Sequence, residues 1–173
     1  IIQRSDRVRF GLAEFNFNAG GRIVAPCGTD KDALIDRVLH IEGNSWTPLA
    51  ESLETVLNYF KRDDDDAPIF ADCQKNFVIV ITDGYPTMDL DVSAYLWDLD
   101  NDGNDPGDCV SIGAPYDNAW NCSDHADDVA FYLNHNDMRP DMAEFGDSSG
   151  SGQNVAVFTI GLGLDAPLLR DIA

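Results

Sequence analysis

Residues Phe77 to Thr87 read FVIVITDGYPT. The unbroken run of β-branched and aromatic residues from Phe77 to Ile81 is the composition of a strand buried on both faces, as in parallel sheets covered by helices. The run stops at Asp83 and Gly84, a turn-forming pair, so a carboxylate stands at the carboxyl end of a core strand. In open α/β sheets that end is where ligands are reached. One stretch therefore sets two expectations: an α/β fold, and an acid on its binding rim.

The flanking segments agree with that fold class. Upstream, RVRFGLAEF from Arg7 to Phe15 alternates well enough for a strand, and a turn over residues 18–21 leads into a second short strand at Gly21 to Ala25, giving a hairpin. Thr29 and Asp30 can cap a helix from Lys31 to about His40, with Leu34, Val38, Leu39 and Ile41 as its apolar stripe. A second helix is expected from about Thr47 to Lys61, with Pro48 in its first turn and Leu49, Leu53, Val56, Leu57 and Phe60 on one face. RDDDD at Arg62 to Asp66 reads as a solvated loop. Downstream, residues 85–122 are rich in Asp, Gly and Asn with little periodicity, too long for an ordinary connection. A helix at Asp124 to Asn134, a second buried strand at Val155 to Leu164 (VAVFTIGLGL) and the start of a last helix complete the order. Hairpin, helices and alternating strands and helices predict a mostly parallel central sheet with helices on both faces.

The chain has 173 residues, 44% of them apolar, enough for one domain core. Its 31 acidic residues against 11 basic ones give a formal charge of -20, which repels phosphate backbones and anionic lipid and favours divalent cations. Nucleic acid and membrane surfaces are therefore poor partners. No run reaches the roughly 20 apolar residues of a membrane span. No signal-peptide pattern is read in these residues, the chain opens on Ile, and it is expected to be a piece of something longer. Cys27, Cys73, Cys109 and Cys122 lack Cys-x-x-Cys spacing and nearby paired histidines, which argues against zinc and for two disulfides in an exported protein. Cys109 and Cys122 flank a turn-rich loop and form the natural local pair, leaving Cys27 with Cys73; four reduced thiols in a cytosolic protein are the alternative.

Two oxygen-rich constellations carry chemistry. Asp83, with the hydroxyls of Ser45 and Thr47 in NSWTPLAESL, offers the carboxylate and hydroxyl donors that suit Mg²⁺ or Ca²⁺. A plainer reading makes Ser45 or Thr47 a helix N-cap and Asp83 a turn former. The second constellation is DLDNDGNDPGD, Asp98 to Asp108. Asp98, Asp100 and Asp102 followed by Gly103 match the first half of an EF-hand calcium loop, with Asn104, Asp105 and Asp108 as further ligands. The position of the closing bidentate Glu is held by Cys109, so the loop is EF-hand-like only, and the plainer reading is a solvated acidic turn. Carboxylates packed this closely repel one another unless a cation neutralises them.

TPLAESL, FVIVITDG and VAVFTIGLGL together resemble the middle and end of a von Willebrand factor A domain. The resemblance spans nearly the whole chain outside residues 85–122. It implies a metal-ion-dependent adhesion site in which Thr47 and Asp83 are ligands, completed by an Asp-x-Ser-x-Ser loop that this sequence lacks and that the family would place before Ile1. The family's last strand would likewise follow Ala173. HADDVAFYLNHNDMRPDM is similar, more narrowly, to the A region of the type IV pilus tip adhesin and biogenesis family, with DMRPD at Asp137 to Asp141 as the residue-level match. The function so implied is extracellular, metal-dependent adhesion at a pilus tip or cell surface, with an acidic group of a surface ligand or another pilus protein completing the metal. A purely structural, calcium-stabilised pilus component is the alternative.

Catalysis is not expected. A Mg²⁺-dependent hydrolase using Asp83 with Asp89 or Asp91 would want a second Asp two residues after Asp83, where Tyr85 stands. His40, His125 and His135 lie in helical stretches as packing or surface residues, and no nucleophile elbow is present.

Overall fold

The computed structural model describes residues 2–17, 20–101, 103, 109, 112–115, 120–142 and 152–173. Two strands, β1 (Leu12–Phe15) and β2 (Gly21–Ala25), form the expected antiparallel hairpin, pairing Ala13 with Ile23 and Phe15 with Gly21. Helix α1 (Lys31–Leu39) starts where the Asp30 carboxylate accepts from the amides of Asp32 and Ala33. Helix α2 (Leu49–Phe60) buries Leu49, Leu53, Leu57 and Phe60. Strand β3 (Asn76–Thr82) contains the whole apolar run from Phe77 to Ile81, and β4 (Val155–Gly161) pairs with it in parallel, Val78 opposite Val157 and Val80 opposite Thr159. Between them runs α3 (Ala126–His135), and a short α4 (Pro167–Asp171) closes the order. The chain is thus a mixed α/β protein whose described strands form two separate two-stranded sheets, one of them parallel.

One core joins these elements. Leu49, Leu53 and Leu57 of α2 pack in a cluster with Val129 and Leu133 of α3, Val80 of β3, and Val155 and Val157 of β4. Helix α4 lies on this same side of the parallel pair, since Thr159 Oγ1 donates to the Leu169 carbonyl at 2.6 Å. Residues 85–122 belong to the core as well: Val92, Leu96, Cys109, Ile112 and Cys122 are buried in the cluster.

Two sequence expectations are corrected here. The strands are not buried on both faces. Phe77, Ile79 and Ile81 are 57%, 59% and 57% exposed, and Phe158 and Ile160 of β4 are 50% and 45% exposed, so helices cover one face of the described pair. A continuous apolar run identifies a strand without saying what covers it. The second correction concerns cysteine. Cys109 and Cys122 are bridged as expected, with their Cα atoms 5.0 Å apart, but Cys27 and Cys73 are free thiols. Cys27 is packed beside Gly11, just before β1, its Sγ 3.0 Å from where a Cβ on Gly11 would sit, whereas Cys73 is exposed in the turn before β3. Burial raises the Cys27 thiol pKa.

Candidate functional site

The TDG turn is shaped by its own threonine. Thr82, buried at the end of β3, donates from its hydroxyl to the Gly84 carbonyl at 3.0 Å and accepts from the Gly84 amide at 3.2 Å. Its carbonyl accepts from Leu162 N at 2.8 Å, which ties the turn to the end of β4. Asp83, between these two residues, is exposed at the carboxyl end of the parallel pair. Gly84 brings the turn against the start of α2, with Thr47 Oγ1 3.5 Å from the position a Cβ on Gly84 would take. Thr47 and the Asp83 turn are therefore neighbours. Ser45 is exposed and donates to the Asn16 carbonyl at 3.0 Å, linking its loop to the hairpin.

The capping reading of Ser45 and Thr47 does not hold. Pro48 occupies the N-cap position of α2 and makes no side-chain cap, while the Thr47 amide donates to Thr87 Oγ1 at 3.0 Å. The cap comes from elsewhere. Asp89, fully buried, accepts from Ala50 N at 2.9 Å and Glu51 N at 3.1 Å, and from the Ser123 hydroxyl at 3.4 Å. It thus satisfies two amides that a helix start otherwise leaves unpaired. Its pKa is raised well above the ordinary aspartate range, first by burial, against the pull of those amides. Nothing in the local sequence separates Asp89 from the exposed Asp91, so its role could not be read in advance.

A short backbone ladder holds this rim together. Thr87 N donates to the Thr47 carbonyl at 3.0 Å, Met88 N to the Trp120 carbonyl at 2.9 Å and Asp89 N to the Asn121 carbonyl at 2.9 Å. Segment 87–89 is thereby bonded both to the residues that open α2 and to the residues beside the Cys109–Cys122 bridge.

At the acidic loop, Asp98 and Asp100 are described, and Asp102, Asn104, Asp105 and Asp108 lie outside the described residues. The first turn is closed by Gly103 N donating to Asp98 Oδ1 at 3.0 Å, and Asp98, Asn101 and Gly103 all have positive φ, at 49°, 65° and 89°. Asp128, in the first turn of α3, anchors the start of the loop: its carboxylate accepts from Asp98 N at 3.1 Å and Leu99 N at 2.5 Å. The Asp128 pKa is raised, first by burial. This anchor was not foreseen, because an acid in the first turn of a helix is ordinary there. His125, buried beside it, stacks on Trp97 with ring centroids 5.6 Å apart, while His40, at the C-cap of α1, and His135, at the end of α3, are exposed.

DMRPD is a clamp. Asp137 accepts from Arg139 N at 2.8 Å and Gln153 N at 3.0 Å, and the Arg139 guanidinium pairs with Asp141 and donates to the carbonyls of Arg62 and Ile69. The carboxyl of Asp141 is held below its usual range by hydrogen bonding to Arg139.

Hydroxyl and carboxylate oxygens at Thr47 and Asp83 are of the donor type a hard cation takes. Among the described residues no three His, Cys, Asp or Glu side chains gather as a metal-holding group, and no helix is long and apolar enough to cross a membrane. Compared with protein-family models, curated proteins and solved structures, the chain matches none of them.

Proposed function

We propose that the chain is a binding module: an extracellular, metal-dependent adhesion domain of von Willebrand A type, resembling the type IV pilus tip adhesin family. The observation that carries this reading is the exposed Asp83 at the carboxyl end of the parallel β3–β4 pair, with the Thr47 hydroxyl beside the same turn. Thr47 and Asp83 hold Mg²⁺ or Ca²⁺ together with the Asp-x-Ser-x-Ser loop that the resemblance implies. An acidic group of a surface ligand or of another pilus protein fills the open position, as hard cations accept carboxylate oxygen readily. The Cys109–Cys122 bridge suits an oxidising compartment. Asp83→Ala in the full-length protein is expected to abolish Mg²⁺-dependent adhesion while leaving the melting temperature in place. Adhesion that persists in that variant removes the proposal.

A second reading has its own support. Asp128 fixes the start of the Asp98 to Asp108 loop from a buried position, which suits calcium held to rigidify the loop of a structural pilus component. Chelation by EGTA is then expected to lower the melting temperature and open residues 98–108 to proteolysis. Melting and cleavage that ignore Ca²⁺ rule out a calcium site there.

A further inference from the structure

Two of the chain's three tryptophans meet on the rim just described. Trp46 precedes Thr47 in the segment that opens α2, and Trp120 belongs to the segment bonded to Met88 and Asp89. Their ring centroids lie 5.6 Å apart with planes inclined at 65°, and the two residues are 41% and 42% exposed. Burial does not explain such a pair, since exposed tryptophan surface lowers stability relative to a covered ring.

The mounting is rigid. Trp46 and Trp120 reach one another across segment 87–89, whose amides are bonded to Thr47, Trp120 and Asn121. Met88 and Asn121 both hold left-handed backbone, φ 53° and 51°, and the Asn121 amide lies 3.5 Å from Met88 Sδ. Two non-glycine residues in that region within one small ladder mark a geometry held by its surroundings at some cost, a feature that gathers at ligand sites.

Inclined rings offer faces on two sides of a corner, and each face carries the negative side of the aromatic quadrupole. That arrangement attracts a cation too bulky and too weakly hydrated to prefer water. The molecule around it carries a net charge of -20, and Asp83 lies on the same rim, so an anion is repelled and a cation is drawn in. Nucleobase stacking, the other common use of paired exposed aromatics, fails on the same charge.

We propose that Trp46 and Trp120 form a binding corner for a quaternary ammonium group of choline type. This deepens the adhesion reading and rests on it in one respect: a zwitterion such as phosphocholine can set its ammonium in the corner and its phosphate on the cation at Asp83. The ammonium contact itself needs no metal.

The test follows the three indole N–H resonances of the folded chain during titration with choline, phosphocholine and 3,3-dimethylbutanol, the uncharged isostere of choline, with Mg²⁺ or with EDTA. Choline is expected to shift the Trp46 and Trp120 signals and to leave that of Trp97 in place. Trp46→Ala or Trp120→Ala is expected to weaken choline binding about tenfold, and Trp46→Phe less, because tryptophan is the strongest cation–π partner. The isostere is expected to bind about tenfold more weakly than choline. Equal binding of the isostere, a shift centred on Trp97, or no shift at all overturns the proposal, and the Phe variant keeps the test valid if an Ala variant does not fold. EDTA is expected to weaken phosphocholine and spare choline, and Asp83→Ala to weaken phosphocholine more than it weakens choline. If phosphocholine is indifferent to both, the metal reading fails and the ammonium corner stands; if choline does not bind while Mg²⁺-dependent adhesion persists, the corner fails and the metal reading stands. Sedimentation with phosphatidylcholine vesicles identifies a lipid source, and competition by free phosphocholine without such sedimentation a soluble or glycan-borne one; either result supports the corner.

Discussion

Asp89 shows how much of this rim depends on a single carboxylate. It replaces the missing side-chain cap of α2 and binds the insertion to the helix through the same two oxygens. Its folded pKa is raised chiefly by burial. A carboxyl raised in this way binds its proton more tightly in the folded chain than in the unfolded one. Its stabilising contribution is therefore complete below the ordinary aspartate range, near pH 4, and is lost as pH climbs through the raised value. Asp89→Asn cannot ionise, so the stability of the wild type minus that of the variant is expected to fall as pH rises above about 4. Urea unfolding at several pH values measures this, with the other carboxylates cancelling in the difference; a difference that rises with pH means the α2 amides outweigh burial. Asp89→Ala is expected to cost about 2 kcal/mol through the unpaired helix amides. At this scale Asp83 was legible, because a strand that ends on an acid is visible in one dimension. Asp89 and Asp128 were not, because what distinguishes them is burial against amides remote in sequence.

Single elements were the most legible part of the chain. The Asp30 cap and the β-branched run of β3 are local signals that gave their elements within a residue or two, while the alternation at Arg7 to Phe15 gave β1 with its start five residues early. The connections were less so. DMRPD entered as a likeness between sequences, and its physical content is a guanidinium spanning two parts of the fold. Arg139 joins the segment after α3 to the carbonyls of Arg62 and Ile69, between α2 and β3, at 3.2 and 2.8 Å. Loss of that fork leaves the carbonyl of fully buried Ile69 without this donor. Arg139→Ala is expected to destabilise the protein by about 2 to 3 kcal/mol, and Arg139→Lys by roughly half as much, since an ammonium cannot reproduce the planar fork. Thermal and urea melts check both. A lysine variant as stable as the wild type would show that charge alone matters here.

At the scale of the molecule, the two-sided burial expected of the parallel strands is the expectation that failed, and its failure has a measurable consequence. One face of β3 and β4 packs on α2, α3 and α4, while Phe77, Ile79, Ile81, Phe158 and Ile160 are turned outward, with the rings of Phe77 and Phe158 6.2 Å apart. A contiguous apolar face of this kind binds apolar solutes. Nile red is a suitable reporter because it is uncharged, whereas an anionic dye is repelled by the chain's net charge of -20. The 173-residue chain is expected to enhance Nile red emission, and the pair Ile79→Thr with Ile160→Thr to lower that emission several-fold. Threonine keeps the β-branch, so strand propensity is conserved. Because both side chains are largely outside the core, the double variant is expected to change unfolding free energy by less than about 1 kcal/mol. Fully buried isoleucines cut down in this way would cost several times that, from lost transfer energy and an unpaired hydroxyl. A loss of that size, with little change in dye emission, would mean that the outward face is covered in solution.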